Sequence, residues 1–188
     1  MELRLSHNKL FCMEELGFNV TWKLILIGLH GAQYIPAQIT YDDVFEYLNE
    51  YLCRENVANV DSIISVINAD SDYSKADKII EALSEYDKAD FSLQLRKWRV
   101  YLLQSLLDNS DKDYMQGLLE LMEFWVTLMG APEDCPIELP SHADTPILND
   151  YFTEDKYNAL IKGNKAWIGK EKKTIIDKEE ASGVINVF

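Results

Sequence analysis

The sequence predicts an all-α fold of about seven helices packed as antiparallel hairpins, either bundle-like or as a short α-solenoid. Apolar residues recur at three- and four-residue steps along nearly the whole chain, which is the spacing of amphipathic helices. They make up 47% of the 188 residues, enough to bury a core. Short connections favour antiparallel neighbours, and no repeat period is visible. We therefore expect a single α-helical domain (1–188), with residues 1–17 as an N-terminal extension.

The helices are predicted from their apolar stripes and from the polar residues at their starts. In chain order they cover 21–34, about fourteen residues from Thr40, 59–69, 74–87, 91–108, 111–129 and 153–170. The predicted N-caps are Asn19 or Thr21 for the first helix, Thr40 for the second, and Ser74, Asp90, Asp111 and Thr153 for the last four. The β-branched residues of 59–69 leave a strand possible, although the apolar spacing favours a helix. The helix 91–108 is apolar on two faces, so we place it at the centre.

Two segments lack helical spacing. Residues 131–146 hold four of the five prolines and are predicted to form an ordered or semi-ordered loop, which at this length is either functional or mobile. Residues 170–188 are predicted to be a C-terminal tail, polar until the apolar stretch 184–188. That stretch could add a short strand, dock on the body of the protein or fray.

The net charge of −14 is concentrated in the middle of the chain. Residues 40–90 contain 13 acidic and four basic residues, and residues 91–150 contain ten acidic and four basic residues. Such a surface repels nucleic acid and anionic membranes, so we expect no direct binding to either. A basic protein is the complementary partner, although acidic residues also simply solvate helix surfaces.

Cysteine usage and the N-terminus predict a cytoplasmic protein. Cys12, Cys53 and Cys135 are odd in number, widely spaced and form no C-x-x-C motif, which argues against a disulfide framework or a cysteine-based zinc site. Residues 1–4 lack the layout of a signal peptide, and the longest apolar stretch, 24–29, is too short to span a membrane.

Catalytic and cofactor motifs are almost absent. The sequence has no phosphate-binding glycine loop, no G-x-S-x-G and no H-E-x-x-H, so we predict no cofactor and no enzymatic activity. One constellation in the proline-rich loop could hold zinc or an activated thiolate. Its members are Glu133, Asp134, Cys135, His142 and Asp144. Because one loop often contains one residue of each kind, we favour a structural interpretation and predict no metal site.

A basic run, Arg96-Lys97-Trp98-Arg99, stands out in the acidic middle of the chain. Trp98 belongs to the inner stripe of its helix, so the arginines flank a core residue. We expect them to pair with nearby acidic residues and to hold helices in register. A small anion site is the alternative.

Two motifs carry a resemblance to a known family. Asn19-Val20-Thr21-Trp22-Lys23 before the first helix and Arg96-Lys97-Trp98 at the central helix resemble an uncharacterised bacterial family of small acidic helical proteins, over roughly residues 18–130. After Pro132 the sequence departs from that family. More loosely, the protein is similar to immunity proteins of polymorphic-toxin and contact-dependent growth inhibition systems. That resemblance implies a cytoplasmic protein that neutralises a basic toxin domain, often a nuclease.

These features lead to an immunity-type binding protein as the functional hypothesis. The predicted contact residues are Asp42, Asp43, Glu46, Glu50, Glu81 and Glu85. Tyr47 or Tyr51 could anchor the partner, since interface hot spots favour aromatic residues, or could be part of the core. The alternatives are a nucleic-acid mimic that inhibits a DNA- or RNA-binding protein, and an enzyme that uses Cys135 and His142.

Overall fold

The computed structural model describes residues 8–55, 57–109, 113–128, 132–137 and 152–183. The helices in these ranges are α1 (Lys9–Glu15), α2 (Trp22–His30), α3 (Tyr41–Leu52), α4 (Val60–Ile67), α5 (Tyr73–Tyr86), α6 (Phe91–Asn109), α7 (Tyr114–Glu123) and α8 (Glu154–Ser182). A π-helical segment, Phe124–Leu128, continues directly from α7. No β-strand occurs within the described ranges, and the all-α prediction is confirmed. The possible C-terminal strand at 184–188 lies outside them.

The chain divides into two compact units. Of the described residues, those up to Trp98 and those from Thr174 onward form the first unit, and those between Arg99 and Lys173 form the second. In the first unit α3 contacts α4 and α4 contacts α5, as expected for consecutive hairpins. Helix α1 also contacts α3, and α2 contacts α5. The prediction of one domain over residues 1–188 stays a prediction.

Tryptophans dominate the core of each unit. In the first, Trp98 is fully buried and its Nε1 donates a hydrogen bond to the carbonyl oxygen of Leu24 (3.0 Å). A Cβ atom at Gly28 would lie 2.6 Å from the Trp98 ring, so the glycine allows α6 to approach α2. In the second, Trp125 Nε1 donates to Asn164 Oδ1 (2.8 Å), and the Trp125 ring packs edge-on against Trp167. The indole N–H groups of Trp98 and Trp125 thereby both find an acceptor inside the protein.

The structure adds a helix that the sequence analysis treated as an extension. Asn8 caps α1 by accepting a hydrogen bond from the backbone N–H of Leu10, and Leu10 and Met13 are fully buried. Residues 8–15 therefore belong to the packed body. The assignment failed because seven residues give barely two turns, too few to establish a periodic stripe.

The C-terminal helix is longer than predicted. The sequence analysis ended it near Lys170, whereas α8 continues to Ser182 and buries Ile175 and Glu179. The residues 170–183 of the predicted tail are therefore almost entirely helical. The error arose because two of the buried residues here, Glu171 and Glu179, are carboxylates, which a search for apolar stripes does not recognise.

Most predicted helix starts are confirmed, with two changes. Side chains of the predicted N-caps accept hydrogen bonds from first-turn N–H groups at Thr21, Thr40, Asp90 and Thr153. Helix α5 is instead capped by Asp72, two residues before Ser74. Helix α7 is capped by Asp113, and the predicted cap Asp111 lies outside the described residues.

Individual burial predictions failed at three helices. Helix α4 is helical as favoured, with Ile63 buried, but Ile64 faces solvent. By the same helical spacing, Tyr86 and Phe91 would belong to the inner stripes of α5 and α6, whereas both are exposed. Both residues lie at a helix end, where a side chain can follow the apolar spacing and still have no neighbouring helix to pack against.

Candidate partner-binding surface

The acidic residues predicted for α3 lie along one side of the helix, and three of the four are exposed. Asp42, Asp43, Glu46 and Glu50 lie opposite the helix face that buries Val44, Leu48 and Tyr51. This separation follows from the helical period, since residues three and four apart share a face. We call these four acidic residues the α3 ridge. Whether it contacts a partner stays a prediction.

Two ridge residues have structural roles. Asp43 Oδ2 accepts hydrogen bonds from the backbone N–H (2.7 Å) and the hydroxyl (2.8 Å) of Thr40, which completes a capping box. Glu46 Oε2 accepts a hydrogen bond from Asn8 Nδ2 (3.1 Å). Asp43 is thus committed to starting α3, while Asp42, Glu46 and Glu50 are the exposed carboxylates of the ridge.

A stacked tyrosine pair adjoins one end of the α3 ridge. The rings of Tyr41 and Tyr73 stack with centroids 5.1 Å apart and planes 16° apart. Tyr73 is 48% exposed, and its hydroxyl donates a hydrogen bond to Asp42 Oδ1 (2.8 Å). This bond and the charge of Asp42 raise the pKa of Tyr73. The pair joins the start of α3 to the start of α5 and presents an aromatic face to solvent.

Carboxylates of α5 border the other side of this pair. Tyr41 has its pKa raised to about 12, first by burial and then by its hydrogen bond to Asp77, with smaller contributions from the charges of Asp77 and Glu81. Asp77 also pairs with His30 Nε2 at 2.6 Å. Tyr73, Asp77 and Glu81 recur every four residues and share one face of α5. We call Tyr41, Asp42, Tyr73, Asp77 and Glu81 the acidic tyrosine surface.

The structure thus brings only some of the predicted contact residues to one place. Asp42 and Glu81 both belong to the acidic tyrosine surface, and Glu85 lies one turn beyond Glu81 on α5. Tyr73 and Tyr41 were missed by the sequence analysis. A usable signal was present, because an aromatic residue precedes or follows an aspartate at the start of both helices.

The proposed anchors Tyr47 and Tyr51 are core residues. Tyr47 is fully buried, and its hydroxyl donates a hydrogen bond to Glu14 Oε1 (2.9 Å), while burial raises its pKa. Tyr51 is almost fully buried, and the guanidinium of Arg54 lies 4.6 Å from its ring. Arg54 also forms a two-pronged ion pair with Glu14. The anchor prediction is wrong because α1 covers this face of α3, and the sequence analysis had no helix there.

The basic run centres on a buried ion pair. Lys97 is fully buried, and its Nζ lies 2.5 Å from Oε1 of the equally buried Glu179. The ammonium group also donates hydrogen bonds to the carbonyl oxygen of Asn19 (2.7 Å) and to Gln94 Oε1 (2.9 Å). Burial lowers the pKa of Lys97, and Glu179 opposes that shift. Pairing was expected of the arginines in this run, whereas the buried ion pair is formed by the lysine between them.

The two motifs behind the family resemblance meet at this ion pair. Thr21 Oγ1 donates a hydrogen bond to Gln94 Oε1 (3.2 Å), and the same oxygen accepts a hydrogen bond from Lys97 Nζ. Lys23 holds the turn before α6, since its Nζ donates to the carbonyl oxygens of Asp87 and Ala89. Thr-Trp-Lys and Arg-Lys-Trp are therefore packing motifs of the first unit, in which the side-chain donors of Thr21, Lys23, Lys97 and Trp98 are directed at protein acceptors.

The proline-rich loop is described only in part. Asp134 pairs with Lys170 (3.1 Å), and hydrogen bonds from Lys170 and Trp167 lower its pKa. Cys135 is partly exposed, whereas His142 and Asp144 lie outside the described residues. The described residues contain no group of three His, Cys, Asp or Glu side chains that could hold a metal ion. The prediction of no enzymatic activity, and the alternative of an enzyme that uses Cys135 and His142, are both untested.

A family comparison agrees with the motif resemblance. The model of a family described as "uncharacterized protein conserved in bacteria" (DUF2247) matches residues 12–172, and the chain belongs to this family. The match extends past Pro132, where the sequence was expected to depart from the family. No curated protein and no solved structure gives a significant match. None of the described helices is both long and apolar enough to cross a membrane.

Proposed function

We propose that this member of the bacterial family is an immunity-type protein, which binds a basic toxin domain and neutralises it in the cytoplasm. The acidic tyrosine surface and the exposed carboxylates of the α3 ridge are the proposed contact region. The protein acts by occupying its partner, without catalysis, cofactor or metal ion. The toxin as partner class rests on the resemblance to immunity proteins, whereas the basic character of the partner rests on the surface itself.

The stacked pair Tyr41–Tyr73 is the observation that carries the proposal. Interface hot spots are rich in aromatic side chains that lose water on binding, surrounded by polar residues that exclude it. Here a half-exposed tyrosine is held rigidly by ring stacking and by its bond to Asp42, so little side-chain entropy is lost when a partner covers it.

The negative charge of this surface favours a positively charged partner. The surface lies in residues 40–90, the most acidic stretch of the chain, with a net charge of −9. Lys75 and Lys78 of α5 project from other faces of the helix than the row Tyr73, Asp77 and Glu81. A basic partner is therefore attracted during encounter and paired at the rim, which favours rapid and selective association.

The proposal is tested with the partner captured from the lysate of the native bacterium, then purified and identified. We expect a basic protein, and we expect Tyr73→Ala to weaken its binding by roughly tenfold or more, as for a hot-spot aromatic residue. Tyr86→Ala is the matched control, because Tyr86 is an exposed tyrosine at the opposite end of the same helix. Its affinity should stay within about twofold of the wild-type value.

The outcomes separate the alternatives. An acidic partner, or equal losses for Tyr73→Ala and Tyr86→Ala, would contradict the proposed contact region. A captured DNA- or RNA-binding protein that is released by added nucleic acid would instead indicate a nucleic-acid mimic. Turnover of a small substrate that depends on Cys135 would indicate an enzyme.

A further inference from the structure

Helix α7 and the π-helical segment expose a row of large apolar side chains in the second unit. Met115 and Leu119 are each 49% exposed, and Val126 is 52% exposed. They are spaced i, i+4 and i+11, and the half-buried Met122 falls between the last two. We call Met115, Leu119 and Val126 the α7 apolar row. It extends for about 16 Å, the length of three helical turns.

The opposite face of this helix is firmly packed. Leu118, Leu121 and Trp125 are buried, and a Cβ atom at Gly117 would lie 2.5 Å from the Tyr157 ring. The helix cannot rotate to bury the exposed row without losing these contacts. The row is therefore a fixed feature of the surface, built from residues that no packing requirement of α7 explains.

Carboxylates flank one side of the row. Glu123 is exposed. Glu120 accepts a hydrogen bond from Gln116 (2.9 Å), and this bond holds the Glu120 side chain along the helix face next to the row. Residues 113–128 contain three acidic residues and no basic residue. An occupant thus meets the α7 apolar row beside carboxylates carried by the same helix.

We infer that the α7 apolar row binds an amphipathic helix whose apolar stripe is bordered by lysine or arginine. Helices are recognised through apolar side chains at this spacing, and flexible methionine adapts to the partner surface. Basic residues beside the stripe would pair with Glu120 and Glu123. A second copy fits poorly, because antiparallel rows would bring these glutamates against their own equivalents in a protein of net charge −14. The inference concerns the second unit and does not rest on the proposed function.

The test uses a synthetic leucine–lysine peptide with leucines at i, i+4, i+7 and i+11, and a leucine–glutamate peptide of the same pattern. We expect the lysine peptide to bind the wild-type protein, and the double variant Met115→Ser/Leu119→Ser to weaken that binding by about tenfold or more. The glutamate peptide should not bind. The control Val60→Ser/Ile64→Ser removes two exposed apolar side chains at the same spacing from α4, and should change the affinity by less than about twofold.

Four results would overturn the inference. Equal weakening by both double variants, or binding of both peptides, would show that the peptides attach without using the row. A wild-type dimer that Met115→Ser/Leu119→Ser abolishes would assign the row to a second copy. A urea midpoint for Met115→Ser/Leu119→Ser that falls well below that of Val60→Ser/Ile64→Ser would show that the row belongs to the folded core.

Discussion

At the scale of single residues, Lys97 is the most unusual side chain of the described structure. A fully buried ammonium group is tolerated only when charge and hydrogen bonds replace water. Glu179, Gln94 and the Asn19 carbonyl oxygen supply them. The same arrangement ties the end of α8 to the residues before α2, because Glu179 also accepts a hydrogen bond from the Asn19 N–H. One buried charge thus fixes three segments that are distant in sequence.

Removing one partner of this pair should destabilise the protein strongly. Lys97→Met leaves the Glu179 carboxylate buried without its counter-charge, which costs about 3 kcal/mol in the free energy of unfolding. Urea denaturation of the wild-type and variant proteins measures this difference.

The double variant Lys97→Met/Glu179→Leu provides the control. It removes both charges, so it should be more stable than Lys97→Met alone. A single-variant cost below about 1 kcal/mol would mean that the pair behaves as a solvent-exposed one, contrary to its burial in the structure.

Residue-level prediction from sequence failed here for a physical reason. Lys97 lies in a run of basic residues on a helix, where a lysine ordinarily extends its charge to water. Its partner is 82 positions away on α8, a distance over which no local pattern carries information. By contrast, the role of Thr40 as an N-cap was predicted, because its capping hydrogen bond is made within four residues of the sequence.

At the scale of helices, caps and apolar spacing defined most elements, and lateral packing decided the rest. The start of α6 at Asp90 follows from local chemistry. The close approach of α2 and α6 depends on Gly28, whose missing side chain makes room for Trp98 and Ile39. In the sequence, a glycine inside a helix indicates only a reduced helix propensity. The close approach of α2 and α6 at Gly28 therefore could not be predicted.

Two glycine substitutions separate packing from helix propensity. Gly28→Ala should destabilise the protein by about 1–3 kcal/mol, because the new Cβ would lie 2.6 Å from the Trp98 ring. Gly169→Ala, in an exposed part of α8 with no atom within 4 Å of the new Cβ, should stabilise by about 0.5–1 kcal/mol. Thermal unfolding of both variants measures the two effects. Changes of the same sign would contradict the packing at Gly28.

At the scale of the whole molecule, the distribution of charge along the sequence predicted an acidic surface, but it did not predict which aromatic residues belong to that surface. The concentration of acidic residues between 40 and 150 is visible in the sequence, and the structure shows α3 exposing several of them on one ridge. The stacked pair of Tyr41 and Tyr73 could not be predicted, because it depends on the contact between the starts of α3 and α5 in the folded protein. Tyr47 and Tyr51 appeared equally suitable in sequence, and they are buried because α1 and Arg54 cover them.

The central claim is that a basic partner binds through this acidic surface. The most direct measurement is the salt dependence of the dissociation constant for the partner, with Asp42→Asn/Glu46→Gln/Glu50→Gln compared with the control Asp108→Asn/Glu154→Gln/Asp155→Asn. Both triple variants remove three exposed carboxylates. We expect the first to weaken binding by about tenfold at low salt and to flatten the salt dependence, whereas the control keeps both near the wild-type values. Equal effects of the two variants, or a wild-type affinity that does not change with salt, would contradict the claim.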